Sequence, residues 1–126
     1  MAFQMGYIQV YTGELLANTA FGMALRASGA GYNVCVYNFC NTDLSAIDSS
    51  LNGICVKNVD RPPPELPKEL NMAFLFGCDS IEEGELIEFL KNKPENIEIV
   101  LFGKNFPKEV HHIADLISSI DEIILS

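Results

Sequence analysis

The chain contains no tryptophan, only 8 lysines and arginines against 17 aspartates and glutamates, and no apolar run near the roughly 20 residues of a membrane span. Each shortage excludes something. With a formal net charge of −9 and a sequence pI near 4.5, the chain lacks the clustered cations that neutralise a phosphate backbone, so a nucleic-acid partner is not expected. An anionic membrane surface is disfavoured on the same ground. Met1 to Tyr11 has neither the cationic start nor the small-residue cleavage site of a signal peptide, so a cytoplasmic protein without a membrane partner is expected. The four cysteines, Cys35, Cys40, Cys55 and Cys78, show no C-x-x-C spacing and are too sparse for a disulfide framework. Reduced thiols, two or three of them in the core, are the expectation.

What the chain does have is apolar side chain: 48% of its 126 residues are hydrophobic, enough to bury a core in one domain spanning residues 1–126. Short β-branched or apolar runs alternate with segments of helical period, the pattern of βα units around a mostly parallel sheet. Strands are expected at Tyr7 to Tyr11, Asn33 to Phe39, Ile54 to Val59, Met72 to Phe76, Ile97 to Phe102 and Glu122 to Leu125. A first helix, about Leu15 to Ser28, ends at Gly29 and Gly31, and a short one is expected from Asp43 to Leu51, capped by Thr42 or Asp43. The segment Ile81 to Lys93 follows an S-x-x-E capping box, Ser80 to Glu83, and stops before Pro94. Another helix begins at Pro107 and carries Val110, Ile113, Ala114 and Ile117 inward. Between strands three and four, Arg61-Pro62-Pro63-Pro64-Glu65-Leu66-Pro67 is a stiff surface crossover, since proline removes donors and fixes φ. The fold class is therefore α/β, a three-layer sandwich with a sheet of about five or six strands.

In open α/β sheets ligands sit beyond the carboxyl ends of the strands. The groups to interrogate are Thr12-Gly13-Glu14, Cys40-Asn41-Thr42-Asp43, Asp60-Arg61, Gly77-Cys78-Asp79 and Gly103-Lys104-Asn105. A phosphate loop at the first of these needs glycines that turn N–H groups to the phosphates, a lysine, and a hydroxyl for magnesium.

The stretch Val10-Tyr11-Thr12-Gly13-Glu14-Leu15-Leu16-Ala17-Asn18-Thr19-Ala20-Phe21-Gly22-Met23-Ala24-Leu25-Arg26-Ala27-Ser28-Gly29, followed by Asn38-Phe39, resembles the opening of the P-loop corrinoid (cobalamin) adenosyltransferases. That opening runs close to V-Y-T-G-x-G-K-G-K-T-T-A-A-F-G-x-A-L-R-A-x-G. The far half resembles the same family through Leu90, Pro94-Glu95, Ile99-Val100-Leu101-Phe102-Gly103-Lys104-Asn105-Phe106-Pro107 and Ile113-Ala114-Asp115-Leu116-Ile117. The resemblance extends over Tyr7 to Phe39 and Asn71 to Leu125. It implies a P-loop NTPase-like fold, transfer of adenosyl from ATP to a corrinoid, and a dimeric habit, to which Phe3, Met5, Tyr7, Phe21, Met23 and Leu25 could contribute.

The departures fall on the nucleotide loop. Aligned on Phe21-Gly22, the loop is two residues shorter than the family's and places Leu16 where the lysine belongs; aligned on Thr12-Gly13, Asn18 stands there and only Thr19 survives as a hydroxyl. Phosphate charge would face leucine without a counter-charge, which is strongly unfavourable. The family's fourth strand ends near L-D-E, whose aspartate serves magnesium; the matching residues are Leu75-Phe76-Gly77, with Asp79 further along as a turn or helix-start residue that could stand in. The segment between Phe39 and Met72, where relatives contact the corrinoid, is also shorter.

The expected function is a non-catalytic relative that has lost ATP binding and acts as a binding or interaction protein. Two alternatives stay open: an active transferase holding ATP-Mg and a corrinoid through an atypical loop, and another small-molecule enzyme using Lys104, Asn105, Asn41 and Asp43. The residues expected to line any remaining site are Thr12, Gly13, Thr19, Asn41, Lys104 and Asn105, with a small anion or corrinoid as ligand and a second copy as partner. No metal site is expected. Cys40 and Cys78 both follow strands but lack a histidine partner, and His111-His112, adjacent on a helix, point about 100° apart and cannot share a metal. Glu82, Glu83, Glu85 and Glu88 read as a solvated helix start.

Overall fold

A computed structural model describes residues 6–13, 17–40 and 54–120. Six strands form one sheet in the order β3-β2-β4-β5-β1-β6, every neighbouring pair parallel. They are β1 (Ile8–Gly13), β2 (Val34–Asn38), β3 (Ile54–Asn58), β4 (Met72–Phe76), β5 (Glu98–Gly103) and β6 (Leu116–Ile120). Helix α1 spans Ala17–Gly29, α2 Glu83–Lys91 and α3 Lys108–Ile113.

The central strands β2, β4 and β5 are buried along their whole length. A strand covered on both faces needs apolar residues at every position, which is why these read as continuous runs such as MAFLF. One face packs Val34, Val36, Phe74, Phe76, Val100 and Phe102 against Ala20, Ala24 and Ala27 of α1. The other packs Tyr37, Leu75, Ile99 and Leu101 against Leu86, Ile87 and Leu90 of α2 and Val110 of α3. The two faces follow from topology. The chain steps one way across the sheet from β1 to β2 and the other way from β4 to β5 and from β5 to β6. Right-handed parallel crossovers then place α1 opposite α2 and α3. The three-layer α/β expectation is met, and the sheet is wholly parallel.

Several boundaries differ from the sequence reading. Helix α2 is capped by Glu82, not by a Ser80–Glu83 box: the Glu82 carboxylate accepts from the Gly84 and Glu85 N–H groups at 3.0 and 2.9 Å. Ser80 instead ends a single 3₁₀ turn, Cys78–Ser80. An acidic side chain at the first turn also gains from the helix dipole, so Glu82 competes well for the cap. Helix α3 stops at Ile113 and does not carry Ile117 inward; Ile117 lies in β6 and is 40% exposed. The cause is Asp115, whose N–H donates to the Ile8 carbonyl at 2.8 Å and whose carboxylate accepts from the Ile8 N–H at 2.8 Å. That clamp draws the chain into register with β1 immediately after the helix. The expected strand Glu122 to Leu125 and the expected helix Asp43 to Leu51 lie outside the described residues.

The proline crossover is irregular as expected, with Val59 and Leu66 set against the core. The end of α1 also follows the sequence: Gly31 has φ +95°, and Tyr32 N–H returns to the Ala27 carbonyl at 3.1 Å. None of the four cysteines is in a disulfide: Cys35 and Cys78 are buried, Cys40 half-buried and Cys55 exposed. No described helix is long and apolar enough to cross a membrane.

Candidate functional site at the carboxyl ends of the strands

The parallel sheet gathers the ends of β1, β2, β4 and β5 along one edge, and two adjacent pairs define its geometry. Thr12 of β1 is in register with Gly103 of β5, so Thr12 and Gly13 stand beside the Gly103-Lys104-Asn105 turn. Asn38 of β2 is in register with Phe76 of β4, which sets Phe39 and Cys40 beside Gly77 and Cys78.

At the β2 end the polar groups are spent on one another. Asn38 is 2% exposed; its amide donates to Asn58 Oδ1 at 3.0 Å and its Oδ1 accepts from the Cys40 backbone N–H at 3.3 Å. Gly77 adopts φ +82°, ψ +38°, and a Cβ there would lie 2.9 Å from both Cβ and Sγ of Cys40. Only glycine satisfies both the left-handed backbone and this approach. Cys78 is buried, which raises its pKa, and its thiol donates to the Leu75 carbonyl at 3.3 Å.

At the β4–β5 boundary Asp79 takes a structural role. Its Oδ2 accepts from the Lys104 N–H at 2.8 Å and its Oδ1 from the Asn105 N–H at 3.0 Å. Behind this clamp lies a cavity of about 280 Å³ lined by Cys78, Ile81, Glu83, Leu86, Phe106 and Pro107, together with Asp79 and Asn105. A larger groove, about 610 Å³, runs between the proline crossover and α2 and includes none of the strand-end residues.

Of the residues singled out from sequence, Thr12, Gly13, Lys104 and Asn105 meet along this edge. Thr19 is in α1, and Asn41 lies outside the described residues. Lys104 is exposed, and among the described residues no carboxylate lies within 4 Å of its ammonium. His111 and His112 are both exposed, as are Glu82, Glu83 and Glu88. No group of three metal-ligating side chains occurs among the described residues.

Two polar clusters escaped the sequence reading. The Asn38–Asn58 pair follows from register, which a single sequence does not display. The other lies toward the opposite end of the sheet: buried Glu98 accepts from the Gln9 side-chain amide, and Tyr11 donates to Gln9 Oε1 at 2.8 Å. Burial raises the pKa of Glu98 against the opposing pull of Gln9 and Lys93. The only sequence signal was Glu98 as the second residue of the otherwise apolar run Ile97 to Phe102.

Fold and edge define a three-layer α/β domain whose wholly parallel sheet carries its polar loops at the carboxyl ends of the strands. Within that class, residues 68–124 match the family model of the ATP:corrinoid adenosyltransferase BtuR/CobO/CobP. The resemblance read from the sequence is thereby shown over the stretch from the end of the proline crossover through β6. No curated protein matches the chain.

Proposed function

We propose that this chain is a non-catalytic relative of the ATP:corrinoid adenosyltransferases that has lost ATP binding and uses the strand-end edge to hold a small anionic ligand or a partner. Asp79 carries the reading. In the family, as the resemblance implies, the end of strand four supplies a carboxylate to magnesium. Here β4 ends at Phe76, Gly77 follows, and the next carboxylate, Asp79, has both oxygens engaged by the backbone N–H groups of Lys104 and Asn105. The other half of the donor set is missing from the sequence, since between Gly13 and Phe21 there is no lysine and no further glycine. The residues present do not fit ATP-Mg, so adenosyl transfer would lack its donor.

A cytoplasmic setting and a homodimer belong to the same reading. The first rests on four cysteines too sparse and irregularly spaced for a disulfide framework, the second on half-buried Met23 and Leu25 of α1. Titration with ATP and magnesium by calorimetry, alongside an adenosylation assay on reduced cobalamin, tests the proposal. No saturable micromolar binding and no product above a protein-free control are expected. Either signal overturns the reading in favour of an active transferase with an atypical loop.

A further inference from the structure

Cys35 and Cys55 are direct partners across the parallel β2–β3 pair. Their neighbours settle which face they share. Ile54 and Val56 pack toward α1, which turns Cys55 to the opposite face, where Cys35 and Tyr37 lie. The next partners on that face are Tyr37 and Lys57, so two thiols, a phenol and an ammonium form a two-by-two patch on adjacent strands. Cys35 is 3% exposed while Cys55 is open to solvent. Paired Cα atoms of neighbouring strands stand about 4.8 Å apart. A disulfide spans Cα separations of roughly 4.4 to 6.8 Å, so this spacing is within reach.

We propose that Cys55 and Cys35 form a thiol–disulfide exchange site that takes a small soluble disulfide as its reactant. The inference stands apart from the reading of the strand-end edge. Cys55, which alone of the pair is reachable, gives its proton to water and attacks one sulfur of the reactant. The reactant's S–S bond breaks, one thiolate leaves and is protonated by solvent, and a mixed disulfide remains on Cys55. The Cys35 sulfur then attacks Cys55 Sγ, and its proton passes to the second thiolate as that thiolate is expelled. Two protein thiols are oxidised by two electrons, and the reactant is reduced to two thiols.

The division of labour follows from the surroundings. Burial and the adjoining Cys55 push the Cys35 thiol up to about 12, with the Tyr37 side chain and, less strongly, the Lys57 cation opposing them. Burial therefore holds Cys35 as the thiol and leaves the first attack to the exposed Cys55. Lys57 lies two residues from Cys55 on the same face of the exposed edge strand, where its cation meets an anionic reactant such as oxidised glutathione. The product would pin β3 to β2 covalently.

The test uses the reduced, intact chain incubated with oxidised glutathione. Expected are an intact mass lower by two hydrogens with no retained adduct, a linked peptide pair containing Cys35 and Cys55, and reversal by dithiothreitol. Cys35→Ala should instead retain one glutathionyl group on Cys55, and Lys57→Gln should slow the reaction several-fold. Because Cys35 is buried and its variant can fail to fold, the wild-type map decides alone. A stable adduct on wild-type Cys55, a linkage through Cys40 or Cys78, or no reaction overturns the proposal.

Discussion

Asp79 and Lys104 are joined through backbone rather than charge: the carboxylate of the turn after β4 accepts the N–H of the first residue after β5, at 2.8 Å to Oδ2 and 3.1 Å to Oδ1. With the Asn105 N–H added, one side chain closes two neighbouring loops at the edge where a nucleotide site would lie. Removing it should release both loops. Asp79→Ala is expected to cost about 1.5 to 3 kcal/mol, the range for hydrogen bonds to a charged group, with the lower end favoured because Asp79 is exposed. Asp79→Asn, which keeps an acceptor, should lose less. Urea denaturation of both variants checks the order, and equal losses would show that the clamp is not what stabilises the loops.

Gly77→Ala should be among the most damaging small substitutions at this edge. It places a side chain at φ +82° and drives the new methyl to 2.9 Å from Cys40. The backbone cost alone is about 1 to 2 kcal/mol, and the close contact adds to it. Pairing it with Cys40→Gly removes the Cβ and Sγ it strikes, leaving the backbone cost and the approach to the Cys40 nitrogen at 3.1 Å. The double variant should therefore lose less than the sum of the single losses in thermal denaturation, and strict additivity would count against the packing argument.

The fold was legible where one physical rule acted alone. The runs at Val34–Asn38 and Met72–Phe76 are buried on both faces, and doubly covered parallel strands leave that mark in any sequence. It was less legible where two rules competed. Ile113 to Ile117 keeps a helical spacing, yet Asp115 finds a better partner in the backbone of Ile8, more than a hundred residues away in sequence, and Ile117 becomes strand. Ser80 and Glu83 have capping-box spacing, but Glu82 reaches two amide groups by itself.

The candidate site divides in the same way. Thr12 and Lys104 were recognisable because each follows an apolar run, and the sheet brings them to adjacent strand ends. The engagement of Asp79 was not recognisable, because it depends on the β4–β5 register and the left-handed Gly77, neither of which leaves a local pattern.

Glu98 sets a pH dependence with a definite sign. Its carboxyl is buried, so its pKa in the folded chain lies above the ordinary value of 4.5. The folded state then holds a proton that the unfolded state releases, and stability falls as pH rises from about the ordinary value through the raised one. Glu98→Gln preserves an acceptor for Gln9 and removes the ionisation. The variant should gain stability relative to the wild-type chain at pH 7 and lose that advantage at pH 4. Parallel stability curves for the two proteins would show that Glu98 does not titrate differently on folding.

The last expectation concerns what Lys104 can hold. It is exposed at the edge, follows the buried Gly103, and stands close to Thr12 and Gly13 through the β1–β5 register. An amine there suits an anion, and the amino end of α1 begins four residues after Gly13. A helix terminus contributes roughly 0.3 to 2 kcal/mol toward an anion, whereas micromolar affinity needs about 8 kcal/mol. The edge should therefore bind inorganic pyrophosphate only at millimolar concentration and take little advantage of the rest of a nucleotide. Lys104→Ala should weaken that binding several-fold in a thermal-shift titration and leave the melting temperature of the free protein nearly unchanged, because no described carboxylate pairs with the amine. An unchanged pyrophosphate response in the variant would remove Lys104 from the site.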